Sequence, residues 1–182
     1  MKVIIRAAVM LLTVASPHTP PAVAPPGQPV YTAASMPLNE YSRAWFTWTV
    51  YHSDPDKVKR MASDGLHLDI KLPSLIIYDP GGKVAYYGIT SKDNIQALAQ
   101  FPHMPAGAAI PDGVVQRDAL LSIVPAFARD KDLIQHSSDY LVFSLITPNN
   151  KPSSNQTDSL KSLHMRTTAP KVNIIELSVS TK

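Results

Sequence analysis

The strongest constraint on the fold is a hairpin pattern in the middle of the chain. Residues 72–79 form an almost continuous apolar run of strand length, which is typical of a strand covered on both faces. The turn sequence Asp79-Pro80-Gly81-Gly82 follows, and then a second strand pattern over residues 83–89. Together with the helices predicted along the chain, this pattern predicts an α/β protein.

Upstream of the hairpin, the sequence predicts a strand, a helix and a second strand. Residues 29–34 read as a short strand, and Ser35 is a suitable N-cap for a helix over residues 37–45 that carries Pro37 in its first turn. Residues 46–52 are rich in aromatic and β-branched side chains, which favours a strand.

Further helices are predicted where a capping residue precedes a helical apolar pattern. Two of them start at Asp54 and at Ser91, and the second carries Ile95 on its inner face. After Pro102 the sequence becomes less regular, and Asp112 is a candidate N-cap for a shorter helix.

The C-terminal part of the chain predicts two strands separated by a loop. Residues 139–146 and 172–179 show the alternation and β-branching of strands. Residues 147–170 are polar and rich in Ser, Thr and Asn, which predicts a long mobile loop. We therefore expect residues 103–182 to form a C-terminal extension with a helix and a β-hairpin.

The N-terminus has the layout of a secretory signal peptide. Lys2 and Arg6 are followed by an uncharged run over residues 7–15, and Ala22-Val23-Ala24 provides the small residues of a cleavage site. The alternative interpretation is a buried first strand over residues 3–14. The pattern favours export and a periplasmic or secreted protein.

A signal peptide over residues 1–24 would be followed by a Pro-rich tether over residues 25–28, because each proline fixes φ and keeps the preceding residue out of the helical region. One domain would then span residues 29–102. The N-terminal apolar run is too short to cross a bilayer and no later run is longer, so we expect no stable membrane span.

Composition excludes several classes of function. The chain contains no cysteine, which removes disulfides, thiolate nucleophiles and Cys-based metal sites. The six histidines lack a metal-ligand spacing, and no Gly-rich phosphate loop is present, so no metal or cofactor is expected. The formal net charge is +3 without a dense basic run between aromatics, so nucleic acid is not an expected partner.

The element order predicted for residues 29–101 resembles the thioredoxin-like fold. Pro73 falls where that family places its cis-proline, and Gly88 falls at the family's glycine after the next strand. The resemblance implies a thioredoxin-like mixed sheet with flanking helices. It also implies a cis Leu72–Pro73 bond, next to which the backbone of Leu72 is available to an extended peptide. The alternative is a trans proline at the start of the strand.

The family's redox motif would map to Ser35-Met36-Pro37-Leu38, where no thiol is present. Disulfide oxidoreductase activity is therefore excluded on chemical grounds. The Ser35 hydroxyl is a weak nucleophile without a neighbouring base, so we expect it to cap the helix instead. The same stretch is similar to a Ser-Met-Pro start in thioredoxin-like periplasmic proteins of conjugative and type IV secretion systems.

We therefore expect a non-catalytic, exported thioredoxin-like protein that acts as a protein-binding subunit or adaptor in a secretion or conjugation apparatus. Two alternatives remain open: a thiol-cofactor-binding transferase-like enzyme that uses the hydroxyl of Ser35 or Ser74, and a secreted interaction or immunity protein. The expected binding residues are Ser35, Met36, Pro37, Leu38, Leu72, Pro73 and Ser74.

Overall fold

The computed structural model describes residues 30–52, 55–56, 59, 71–110, 116–124, 127, 139–166 and 170–180. These residues form a mixed sheet of five strands with helices on its faces, which confirms the predicted α/β class. The predicted signal peptide, the tether and the alternative strand over residues 3–14 lie outside the described residues.

The strands of the sheet are β1 (Tyr31–Pro37), β2 (Ser74–Tyr78), β3 (Val84–Gly88), β4 (Tyr140–Ile146) and β5 (Val172–Ser180). Their spatial order is β1-β5-β4-β2-β3. Strands β1, β5 and β4 are mutually parallel, whereas β2 runs antiparallel to both β4 and β3. The predicted central hairpin is thus confirmed, and β1 and β3 are the two edge strands of the sheet.

The helices of the described residues are α1 (Leu38–His52), α2 (Ser91–Gln100), α3 (Leu120–Ile123) and α4 (Lys151–Arg166). Helices α2 and α4 pack together on one face of the sheet, and α1 and α3 pack on the other. None of the helices in this part of the chain is both long enough and apolar enough to cross a membrane.

The core has two halves because alternate strand residues face opposite helical layers. In β2, Leu75 and Ile77 face α2 and α4, whereas Ile76 and Tyr78 contribute to the cluster on the other face. All four side chains are buried. This double burial explains the continuous apolar run from which the α/β class was predicted.

The strand predicted over residues 46–52 is wrong, because α1 continues through these residues to His52. Tyr41 is buried, and Ala44, Trp45 and Trp48 pack against the same core cluster. This spacing of three and four residues places them on one helical face. The aromatic and β-branched composition favoured a strand, but tertiary packing selected the helix.

The predicted mobile loop over residues 147–170 is also wrong, because α4 occupies most of it. Its buried residues are Ser153, Gln156, Leu160 and Leu163, which recur at helical spacing. Two of these four buried residues are polar, so the stripe was not visible as an apolar pattern.

The predicted C-terminal hairpin is wrong for the same reason. Helix α4 connects β4 to β5, and the two strands pair in parallel. Strands from both sides of the predicted boundary at residue 102 contribute to one sheet. Along the chain, the β2-β3-α2 unit precedes the β4-α4-β5 unit.

Candidate binding edge

The two predicted binding segments lie at the same edge of the sheet. Strands β1, β4 and β5 end at this edge, β2 begins there, and the N-termini of α2 and α4 follow directly from β3 and β4. We call it the carboxyl edge. Ala34, Leu177, Leu145 and Ser74 lie in one row across it. Strands β1 and β2 are three strand spacings apart, or about 14 Å at 4.8 Å per spacing.

The first predicted segment belongs to β1 and not to a helix N-terminus. Ser35 is an exposed strand residue, so its predicted role as a helix cap is wrong. Met36 and Pro37 are half-buried and complete the strand, and Leu38 is the first residue of α1. Ser35 is thus the only one of these four residues with a largely exposed side chain.

The second predicted segment is mostly enclosed. The Leu72–Pro73 bond is cis, as expected. Leu72 is half-buried, whereas Pro73 and Ser74 are buried, with 8% of Ser74 exposed. The Leu72–Ser74 segment therefore contributes backbone and one partly exposed side chain to the carboxyl edge, and the Ser74 hydroxyl is not an open nucleophile.

A network of buried polar side chains holds the Leu72–Ser74 segment in place. Gln156 of α4 donates from Nε2 to the Ser74 carbonyl oxygen at 3.0 Å and to Oγ of Ser144 at 2.8 Å. Its Oε1 accepts from Nδ2 of Asn94 at 2.7 Å, and the same Nδ2 lies 3.5 Å from the Pro73 carbonyl oxygen. Both amides are fully buried. The network links the carboxyl edge to α2, α4 and β4 without any charged group.

Gly88 ends β3 beside this network, and its lack of a side chain has a steric reason. A Cβ at this position would overlap Oδ1 of Asn94 and would lie 2.6 Å from the hydroxyl oxygen of Tyr86. The sequence prediction of a special glycine at this position agrees with this close approach.

Within the described ranges, no strand pairs with the outer side of β1. The Val30 carbonyl oxygen accepts from the Ile174 N–H at 2.8 Å, and Tyr31 is in register with Ile174. Because strand residues alternate, Thr32, Ala34 and Met36 also point their backbone groups at β5. The N–H and C=O groups of the alternate residues Tyr31, Ala33 and Ser35 then point away from the sheet.

The other side of the sheet is different, because a loop covers part of β3. The Ala108 N–H donates to the Tyr87 carbonyl oxygen at 2.8 Å. Gly107 lies so close to the strand that a Cβ there would lie 3.0 Å from the Tyr87 nitrogen. Within the described ranges, β1 is therefore the side at which a strand can be added to the sheet.

A buried carboxylate lies next to β1, on the face that carries α4. Oε2 of Glu176 accepts from the Tyr31 hydroxyl at 3.0 Å and from the Thr157 hydroxyl at 2.7 Å. Burial, and then the negative charge of Glu176, raises the pKa of Tyr31 above its ordinary value. The phenol therefore remains protonated and acts as the donor.

Two kinds of reaction centre are relevant at the carboxyl edge: a metal site and an activated serine hydroxyl. No group of three His, Asp or Glu side chains suited to hold a metal ion occurs among residues that the structure describes. Within the same ranges, the hydroxyls of Ser35 and Ser74 make no hydrogen bond to a histidine or a carboxylate.

The sequence reasoning missed Asn94, Gln156, Thr157 and Glu176. Glu176 carries a signal that was available, since it is the one charged residue within the apolar strand Val172–Ser180. The two buried amides carry no such signal, because an Asn or Gln in a helix is ordinary on an exposed face.

Comparison with protein-family models, with curated proteins and with solved structures finds no match to this chain.

Proposed function

We propose that this chain is a non-catalytic protein-binding module that receives an extended segment of a partner protein along β1. The observation that carries the proposal is the row of outward N–H and C=O groups on Tyr31, Ala33 and Ser35. Such a row can pair with a partner strand, since main-chain hydrogen bonds then provide affinity and alternate side chains provide specificity.

The surroundings of β1 favour the same role. Ala33 and Ser35 are exposed and small, so a partner strand meets little steric hindrance there. The strand YTAASMP contains no charged residue, and charges are a common device for blocking association at a sheet edge.

We further propose, from the N-terminal sequence, that the protein is exported and acts in the periplasm or outside the cell. The resemblance to thioredoxin-like proteins suggests an adaptor role in a secretion or conjugation apparatus.

The experiment is affinity capture from an envelope extract of the source organism with the tagged chain and the variant Ala33→Pro. Proline at residue 33 removes an outward N–H and blocks strand addition, yet it removes no hydrogen bond to β5 and is tolerated on edge strands. We expect the chain to capture a stoichiometric partner and Ala33→Pro to lose it at unchanged thermal stability.

The matched control is Ser35→Ala, which retains every backbone group and should capture the partner normally. Capture of no stoichiometric partner by the unaltered chain would contradict the proposal. Undiminished capture by a folded Ala33→Pro variant would contradict the role of β1.

A further inference from the structure

A surface groove lies where the end of β4 leads into the start of α4. A cavity of about 210 Å³ lies along the start of α4, and its lining includes Asn149, Ser154, Thr157, Asp158 and Lys161. Ile146 also lines it and is in register with Ser178 of β5. The cavity therefore lies at the carboxyl edge, where the end of β4 pairs with β5.

Glu176 is hydrogen-bonded to one of the residues that line this groove. The Thr157 side chain that lines the cavity is the one that donates to Glu176. Only 8% of Glu176 is exposed, and no ion pair compensates its charge among the described residues. Removal of a carboxylate from water without a cation is costly, so a carboxylate at such a position is expected to have a charged partner in the functional state.

The two oxygens of this carboxylate differ. Oε2 is occupied by the hydroxyls of Tyr31 and Thr157. Oε1 accepts no hydrogen bond within the described ranges, and it is not one of the fully enclosed polar atoms. The hydroxyls orient the carboxylate but do not neutralise it, which leaves Oε1 as an acceptor for a donor that approaches from outside.

The approach to Glu176 from the β1 side passes over small side chains. Ala33 is in register with Glu176, and Ser35 is in register with Ser178. Residues in register lie on the same face of the sheet, and both Ala33 and Ser35 are exposed. A side chain of a strand paired to β1 can therefore reach over Ala33 towards Glu176.

We propose that Glu176 receives a lysine or arginine side chain from the partner segment that pairs with β1. This inference rests on the function proposed above and names the residue chemistry that the site selects. Tyr31 and Thr157 are positioning residues that fix the carboxylate, and Asp158 adds negative charge beside it. A cationic side chain would complete the hydrogen bonding of Oε1 and compensate the buried charge.

The test uses two short peptides that have nearly the same shape but differ in the charge of one side chain. They are the acetylated, amidated pentapeptide Thr-Val-Arg-Val-Thr and its twin with citrulline in place of arginine. Binding to the ¹⁵N-labelled full chain is followed by amide chemical shifts at millimolar peptide. We expect the arginine peptide to shift the amides of Ala33 and Glu176 and to bind about tenfold or more tightly than the citrulline peptide.

The variant Glu176→Gln should abolish this preference, because it retains the shape and removes the charge. The matched control is Glu40→Gln, which makes the same change at an exposed position in the first turn of α1 and should retain the preference. If Glu176→Gln does not fold, the exposed variant Asp158→Asn decides the question: the arginine preference should persist in it, and loss of the preference would overturn the role of Glu176.

Equal binding of the two peptides, or no binding of either, would overturn this inference. An arginine preference that persists in Glu176→Gln would do so as well. If both peptides bind equally and Ala33→Pro abolishes their binding, strand addition at β1 stands and the role of Glu176 falls. The two proposals therefore fail separately.

Discussion

Replacement of Gln156 by alanine should destabilise the protein far more than its place in a polar helix suggests. The change removes three hydrogen bonds, to Ser74, Ser144 and Asn94, at distances of 2.7 to 3.0 Å. Each partner is buried and would be left unsatisfied or reoriented. At about 1 kcal/mol per bond, the free energy of unfolding should fall by about 3 kcal/mol.

The neighbouring variant Asn155→Ala provides the matched comparison. Asn155 is exposed on the same helix, and its replacement removes no side-chain hydrogen bond that the structure shows. Both variants place alanine in α4, so effects of helix propensity are similar. The difference between the two variants therefore isolates the buried network.

The assay is urea unfolding followed by circular dichroism. A loss of 3 kcal/mol corresponds to a shift of the urea midpoint of about 1 to 2 M for a protein of this size. Hydrogen exchange adds a local readout, since the amides of Leu75 and Ile76 should exchange faster in Gln156→Ala. A difference of less than about 1 kcal/mol between the two variants would refute the reasoning.

Two further predictions concern close packing and alkaline pH. Gly88→Ala should reduce the free energy of unfolding by about 1 to 3 kcal/mol, because the new methyl group meets Asn94 and Tyr86. Differential scanning calorimetry against the exposed Gly81→Ala control measures it, and equal melting temperatures would contradict the steric argument. Burial raises the pKa of Tyr41 and Tyr78 above the ordinary value, so the unfolded chain loses these protons first. Stability should stay constant below about pH 10 and fall above it, and a urea midpoint that is unchanged at higher pH would contradict this assignment.

Local sequence patterns were sufficient to predict those elements that are buried along their whole length. The hairpin of β2 and β3 was predictable because β2 is buried on both faces and its turn requires glycine, with φ of 80° at Gly82. Strands β4 and β5 were predictable as strands from their alternation and β-branched residues. Such signals depend on each segment alone, which is why the α/β class was correct.

The positions of those strands in the sheet depended on tertiary structure. Parallel and antiparallel pairing of β4 with β5 are indistinguishable in their apolar patterns, and the decision depends on whether the connection is a helix or a turn. In the connecting helix α4, Ser153 accepts from the Thr147 N–H just after β4, and Gln156 donates to Ser144 and Ser74 of the sheet. A polar helix of this kind is stabilised by contacts that are distant in sequence.

The candidate site shows the same division. The sequence alone pointed to Ser35 and the Leu72–Ser74 segment, and it excluded thiol chemistry through the absence of cysteine. Only the tertiary structure brought Tyr31, Thr157 and Glu176 together, from segments up to 145 positions apart. The burial of Glu176 and its two hydroxyl donors arise only when β1, α4 and β5 pack against one another.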